Sequence, residues 1–134
     1  MYTQNILNIF SNPKNTGRIM KPDGIASAYN EDETQNVEFS LRIEMGVITD
    51  CQFRAQANPF IVAVCSTITE MVKNKMAAML ILDSTMVKAQ LGETENDTNI
   101  DFCIDCLRDA IEDYKKNIKK ADKKAHEEKS EEEA

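Results

Sequence analysis

The chain has 134 residues and a formal net charge of −7, from 16 Lys and Arg against 23 Asp and Glu. That length suits one domain of about 100–150 residues, enough to bury a core without disulfide or metal staples. Aromatics make up 6% and Trp is absent, so neither a basic patch nor a set of stacking rings points to nucleic acid. The soft ligands are Cys51, Cys65, Cys103, Cys106 and His126. MYTQNILNIF has no basic n-region, and no window approaches the roughly 18 apolar residues of a membrane span. The expectation is a cytoplasmic protein with reduced thiols, bound neither to a membrane nor to nucleic acid.

In chain order, Tyr2 to Phe10 places Ile6, Leu7, Ile9 and Phe10 on one side of a short helix, broken by Asn12-Pro13-Lys14-Asn15-Thr16-Gly17. Pro22-Asp23-Gly24 is a turn signal before a short strand at Ile25 to Tyr29. Val37, Phe39, Leu41 and Ile43 alternate with Glu38, Ser40, Arg42 and Glu44, the period-2 mark of a half-buried strand. Met45-Gly46 turns that strand into a second, Val47 to Arg54. Asn58 suits a helix N-cap and Pro59 the first helical position of a helix running to Lys75. Its apolar residues cover more than half its circumference, as in a central, buried helix.

Met76 to Leu82 and Ser84 to Leu91 read as one or two shorter helices, with Ser84 as an N-cap. A polar loop, Gly92 to Asn99, precedes a final amphipathic helix from Ile100 to Tyr114. The twenty residues beyond Tyr114 hold seven Lys and six acids with almost nothing apolar, so residues 118–134 are expected to be a frayed or disordered tail. The implied architecture is α+β: a small three-stranded antiparallel sheet packed against several helices, the last of them long. Residues 1–117 form the domain.

Several segments resemble NifU/IscU-type iron–sulfur cluster assembly scaffold proteins. Tyr2 through Gly17 resembles the family's opening, with its Asn-Pro-basic-Asn-x-Gly turn, and Pro22-Asp23-Gly24 its following Asp-Gly. Gly46 to Phe53 is similar to Gly-Ile-Ile-x-Asp-x-x-Phe, and Ser66 to Lys75 to Ser-x-x-Thr-Glu-x-Val-basic-Gly-Lys. Asp109 to Tyr114 is similar to the end of the family's last helix. The resemblance implies three antiparallel strands against several helices, and a non-enzymatic role. In that role a nascent iron–sulfur cluster, supplied through a cysteine desulfurase, is held and passed on.

The family's cluster rests on three loop cysteines with a nearby Asp and often a His. Laid alongside without gaps, this chain places Glu33 at the first cysteine, Gln35 at the Asp, and Asn58 at the second cysteine. Counting back from Tyr114 puts Asn99 at the third, with Thr98 where the His belongs. The Hsp70-type chaperone-recognition loop is also missing, with Glu93-Thr94-Glu95-Asn96-Asp97 in its place. A carboxylate and neutral amides form a hard oxygen set, whereas iron–sulfur clusters take soft thiolates. The expected function is therefore noncanonical: a scaffold-like protein that binds assembly partners such as the desulfurase, with little or no cluster of its own.

An alternative places iron or a cluster on Cys103, Cys106 and Cys65. Cys103-x-x-Cys106 has metal or redox spacing, and residues three apart share a helix face. A one-turn slip of the resemblance would also set Cys103 at the third ligand position. Without the slip, Cys65 lies seven residues past Asn58, about 10 Å down its helix, among apolar neighbours that suit core packing.

Overall fold

The computed structural model describes residues 2–93 and 97–133, with side chains through Ala125 except that of Asp97. Helix α1 (Gln4–Ser11) precedes strands β1 (Gly24–Tyr29), β2 (Asn36–Glu44) and β3 (Val47–Gln56). Helix α2 (Pro59–Val72), a 3-10 turn (Ala77–Met79), α3 (Ser84–Leu91) and α4 (Asp97–Glu133) follow. The sheet is antiparallel in the order β1-β2-β3, which with its helices is the expected α+β architecture. The turn between β2 and β3 needs a left-handed pair, and Met45 (φ 52°) and Gly46 (φ 80°) supply it.

The alternating residues Val37, Phe39, Leu41 and Ile43 enter one apolar cluster with Ile61, Val64 and Ile68 of α2 and Ile104, Leu107 and Ala110 of α4. The opposite face of β2 departs from the half-buried expectation: Glu38 is 8% exposed and Ser40 1%. The segment after α1 straps that face. Asn15 O accepts from Phe53 N (2.9 Å) and Gly17 N donates to Phe53 O (2.8 Å). Arg18 then pairs with Glu38 through two bonds of 2.7 and 3.1 Å, and Ile19 N donates to Ser40 Oγ (3.0 Å). A period-2 pattern reports which residues sit on each face, and a covering loop far away in sequence leaves no mark on it.

Helix α4 lies against β1 so closely that only glycine fits at the crossing. A Cβ on Gly24 would stand 2.3 Å from Ala110 O and 2.9 Å from Tyr114 Cβ. Two polar bonds fix the crossing: Ile25 N donates to Asp113 Oδ2 (3.0 Å) and Asn117 Nδ2 to Asp23 O (3.2 Å). Past Tyr114 the helix runs through the charged segment to Glu133. His126 and the glutamate run after it lie outside the side chains described.

Three local expectations need correction. Helix α2 ends at Val72 rather than Lys75, because Lys73 is extended and Asn74 left-handed (φ 67°). That bend lets Asn74 N donate to Ile48 O (2.7 Å) and Ile48 N to Lys75 O (2.8 Å), so the free edge of β3 gains partners that further helix could not provide. Met76 to Leu82 is helical only over the short Ala77–Met79 turn. The cap of α3 is Asp83, whose Oδ1 accepts from Met86 N at 2.9 Å, and Ser84 is the first helical residue.

Candidate functional site

The positions expected at the ligand site sit on the loop end of the molecule. Between β1 and β2, Asn30 closes a turn by bonding Gln35 in both directions: Asn30 N to Gln35 O (3.0 Å) and Gln35 N to Asn30 Oδ1 (2.9 Å). Within the turn Thr34 donates to Asp32 Oδ1 from its hydroxyl (2.7 Å) and its backbone N–H (3.3 Å). These bonds favour the charged carboxylate, so Asp32 is held below the usual carboxylate range. Glu33 sits at the apex with φ 60°, its backbone N–H on Asn30 O (3.0 Å) and its side chain exposed.

The structure brings two of the four positions together. Gln35 Oε1 accepts the backbone N–H of Asn58 at 2.6 Å, and Asn58 Oδ1 accepts from Ile61 N at 2.9 Å. Asn58 is thus the N-cap of α2 read from the sequence, and Gln35 adds a second acceptor at the same helix start. Both amide oxygens of this pair are committed to backbone donors. Asn99, in the first turn of α4, is half-buried, and its side chain makes no hydrogen bond among the described residues. The same holds for the carboxylate of Glu33. Residues 94–96, the centre of the segment standing in for the chaperone-recognition loop, lie outside the described residues.

This donor set does not fit an iron–sulfur cluster. It consists of one exposed carboxylate and three neutral amides, two of which already serve helix α2. Hard, mostly uncharged oxygens do not replace thiolate sulfur around iron.

About two turns down α2 lies a different set of atoms. Cys65 Sγ of α2 and Cys103 Sγ of α4 are 3.8 Å apart, and both residues are fully buried. Cys106 turns toward the sheet, its thiol donating to Ala26 O (3.5 Å) and Val37 O (3.8 Å). Burial raises the Cys65 thiol well above its ordinary value and pushes Cys106 up to about 12. Cys51 on β3 is raised for the same reason. The proton stays on a thiol in such surroundings, and thiolate is the form that binds metal or attacks. Among the described residues no group of three or more His, Cys, Asp or Glu side chains could hold a metal ion.

A polar clip lies further down α2 and was not legible in the sequence. Ser66 Oγ accepts from Lys14 N (2.9 Å) and donates to Lys14 O (3.2 Å). Asn15 Nδ2 donates to Thr69 Oγ1 (3.0 Å) and Glu70 Oε1 (2.9 Å), while Lys73 Nζ bonds Asn15 Oδ1 and lies 3.6 Å from Asp50. The Asn-Pro-Lys-Asn turn and the Ser-x-x-Thr-Glu helix segment therefore hold each other. Their polar residues satisfy buried backbone and hydroxyl groups. The signal available beforehand was two polar motifs without evident chemistry; their contact across more than fifty positions needed the fold.

Residues 1–121 match the family model described as the NifU-like N terminal domain. Among solved structures, the chain is similar to the N-terminal part of a nitrogen-fixing NifU-like protein from Brucella abortus, with a TM-score of 0.68 and 19% identity over 86% of this chain and 94% of that one. It is also similar to a hypothetical protein (TM-score 0.65, 12% identity, 81% and 94% covered). A third similar structure is a candidate iron–sulfur cluster assembly scaffold protein for the SUF system from thermophilic Fervidobacterium islandicum (TM-score 0.54, 14% identity, 78% and 77% covered). At these identities the likeness to the solved structures is one of fold. No curated protein matches the sequence at a significant level.

Proposed function

The chain belongs to the NifU-like N-terminal domain family, and from that premise we propose that it is a noncanonical iron–sulfur assembly protein that binds assembly partners and carries little or no cluster of its own. The observation that carries this reading is the pairing of Gln35 with Asn58. At the loop end, where the family resemblance implies cluster ligands, both side chains act as acceptors for the start of α2. A cysteine desulfurase or another scaffold is the expected partner, in the cytoplasm. The role in this reading is docking rather than catalysis.

Anaerobic reconstitution of the full chain with ferrous iron and sulfide tests it. The expected result is a desalted protein without a stoichiometric visible chromophore or bound iron. A chromophore at one cluster per chain would overturn the reading.

One observation favours a second reading, in which Cys65, Cys103 and Cys106 hold iron or a cluster: the 3.8 Å approach of two thiols from different helices. Against it stand their burial and the high proton affinity of Cys65 and Cys106. If the second reading holds, reconstituted iron falls to background in a variant carrying both Cys103→Ser and Cys106→Ser that keeps the native circular dichroism. Unchanged iron in that variant rejects it.

A further inference from the structure

The described residues contain an open trough of about 770 Å³, within the size range of binding clefts. It runs between α1, the Asn12–Lys14 turn, the second half of α2, and α3. Ser66, on its wall, is eight residues past Asn58, so the trough begins about 12 Å along α2 from the loop end. It is a separate surface.

Its lining mixes apolar, charged and neutral polar side chains, the last including Asn8, Asn12 and Gln90. Ile9, Met71 and Met86 provide apolar surface. Lys14, Lys73 and Lys75 provide positive charge, with Glu70 as the acid in the lining. The clip divides these charges. Lys73 is held by Asn15 and Asp50, and Glu70 accepts from Asn15. The ammonium groups of Lys14 and Lys75, both exposed, have no hydrogen bond or ion pair among the described residues. Two unpaired cations thus stand beside the apolar side chains of the trough. Past Lys75 along the chain, Met79 is 74% and Ile81 77% exposed.

We infer that this trough binds an acidic amphipathic segment of a partner protein, its apolar side chains on Ile9, Met71 and Met86 and its carboxylates against Lys14 and Lys75. Unbranched methionines adapt to peptide side chains and are common on such surfaces. Apolar side chains next to positive charge suit one face of an amphipathic, acidic helix. The open form suits a chain segment better than an enclosed small molecule. The occupant is acidic because the two unpaired lysines attract carboxylates. The inference does not rest on the reading above, since it holds whether or not a cluster is carried.

The test uses the full chain labelled with 15N and an 18-residue synthetic peptide, with Leu at i, i+3, i+4 and i+7 repeats and Glu on the flanks. Comparison probes are the same peptide with Lys in place of Glu, a scrambled acidic peptide, and inorganic phosphate. The expected result is amide shifts concentrated at Lys14, Thr67, Lys75 and Gln90 with the acidic helix alone. The double variant Lys14→Glu and Lys75→Glu should weaken that binding at least tenfold and gain the basic peptide, while Lys119→Glu with Lys120→Glu leaves it unchanged. Both variants should keep the native circular dichroism. The inference fails if acidic and basic peptides bind alike, if the shifts map to the Glu33 and Asn58 loops, or if the double variant binds as before. Phosphate competing at equal concentration also overturns it, in favour of a simple anion site.

Discussion

The loop end of α2 and its interior face are about two turns apart and differ completely in their donors. At the loop end, Gln35 and Asn58 offer amide oxygens to the start of the helix, and Glu33 projects into solvent. Inside, Cys65 and Cys103 offer sulfur, but in a setting that keeps Cys65 protonated and both out of reach of solvent. Access without soft ligands lies at one place, and soft atoms without access at the other. Counting cysteines therefore says little about cluster chemistry, because the ligand is an ionised thiol at a surface and not the residue type.

Charge placed among the buried thiols tests this contrast most severely. Cys103→Asp should cost about 4 kcal/mol or more, since a carboxylate there has no partner and no water. Cys103→Ser, which buries only a hydroxyl, should cost about 1–3 kcal/mol. Urea unfolding of the two variants checks the difference. A Cys103→Asp protein with near-native stability would mean that the interior is wetter than the packing implies, and that metal could reach it.

Alkaline pH probes the same contrast more gently. The folded chain holds the Cys106 proton up to about 12, whereas an unfolded thiol releases it near 8.5. Between those values the unfolded state binds fewer protons than the native one, so stability falls as pH rises. The contribution is complete below about pH 8.5 and then declines by about 1.4 kcal/mol per pH unit for this thiol. Urea midpoints at pH 7.5 and 10.5 should therefore differ more for the wild type than for Cys106→Ala. Equal shifts would place Cys106 in contact with solvent.

The smallest effect sharpens the loop end. Asn58→Ala removes the α2 cap and should cost about 1 kcal/mol, and Gln35→Ala, which loses the acceptor for Asn58 N, about 0.5–1 kcal/mol. Glu33→Ala should stay within about 0.5 kcal/mol, because nothing described bonds its side chain. Thermal melts of the three variants test this order. Equal and negligible effects for Asn58 and Gln35 would free those positions for a role as ligands.

Much of the fold was legible locally. The alternation from Val37 to Ile43, the Met45-Gly46 turn and the Asn58-Pro59 helix start each state their structure within a few residues. The errors fell where a distant partner intervened. Helix α2 stops at Val72 because its continuation pairs with the edge of β3, and Glu38 and Ser40 are covered by a strap that begins at Asn15. At the candidate site, the resemblance singled out Glu33, Gln35, Asn58 and Asn99. Only the fold joins Gln35 to Asn58 and separates Cys106, turned to the sheet, from the Cys65–Cys103 pair.

Residue order alone thus determined the class of fold, the family resemblance and the inventory of donors, because propensity, periodicity and motif spacing act over short stretches of chain. The protonation of Cys65 and Cys106, the use of the two amides as helix caps, and the cationic trough beside Lys14 and Lys75 were decided by packing. Each depends on which distant residues exclude water from a group or accept its hydrogen bond, and burial and electrostatics are properties of that three-dimensional neighbourhood.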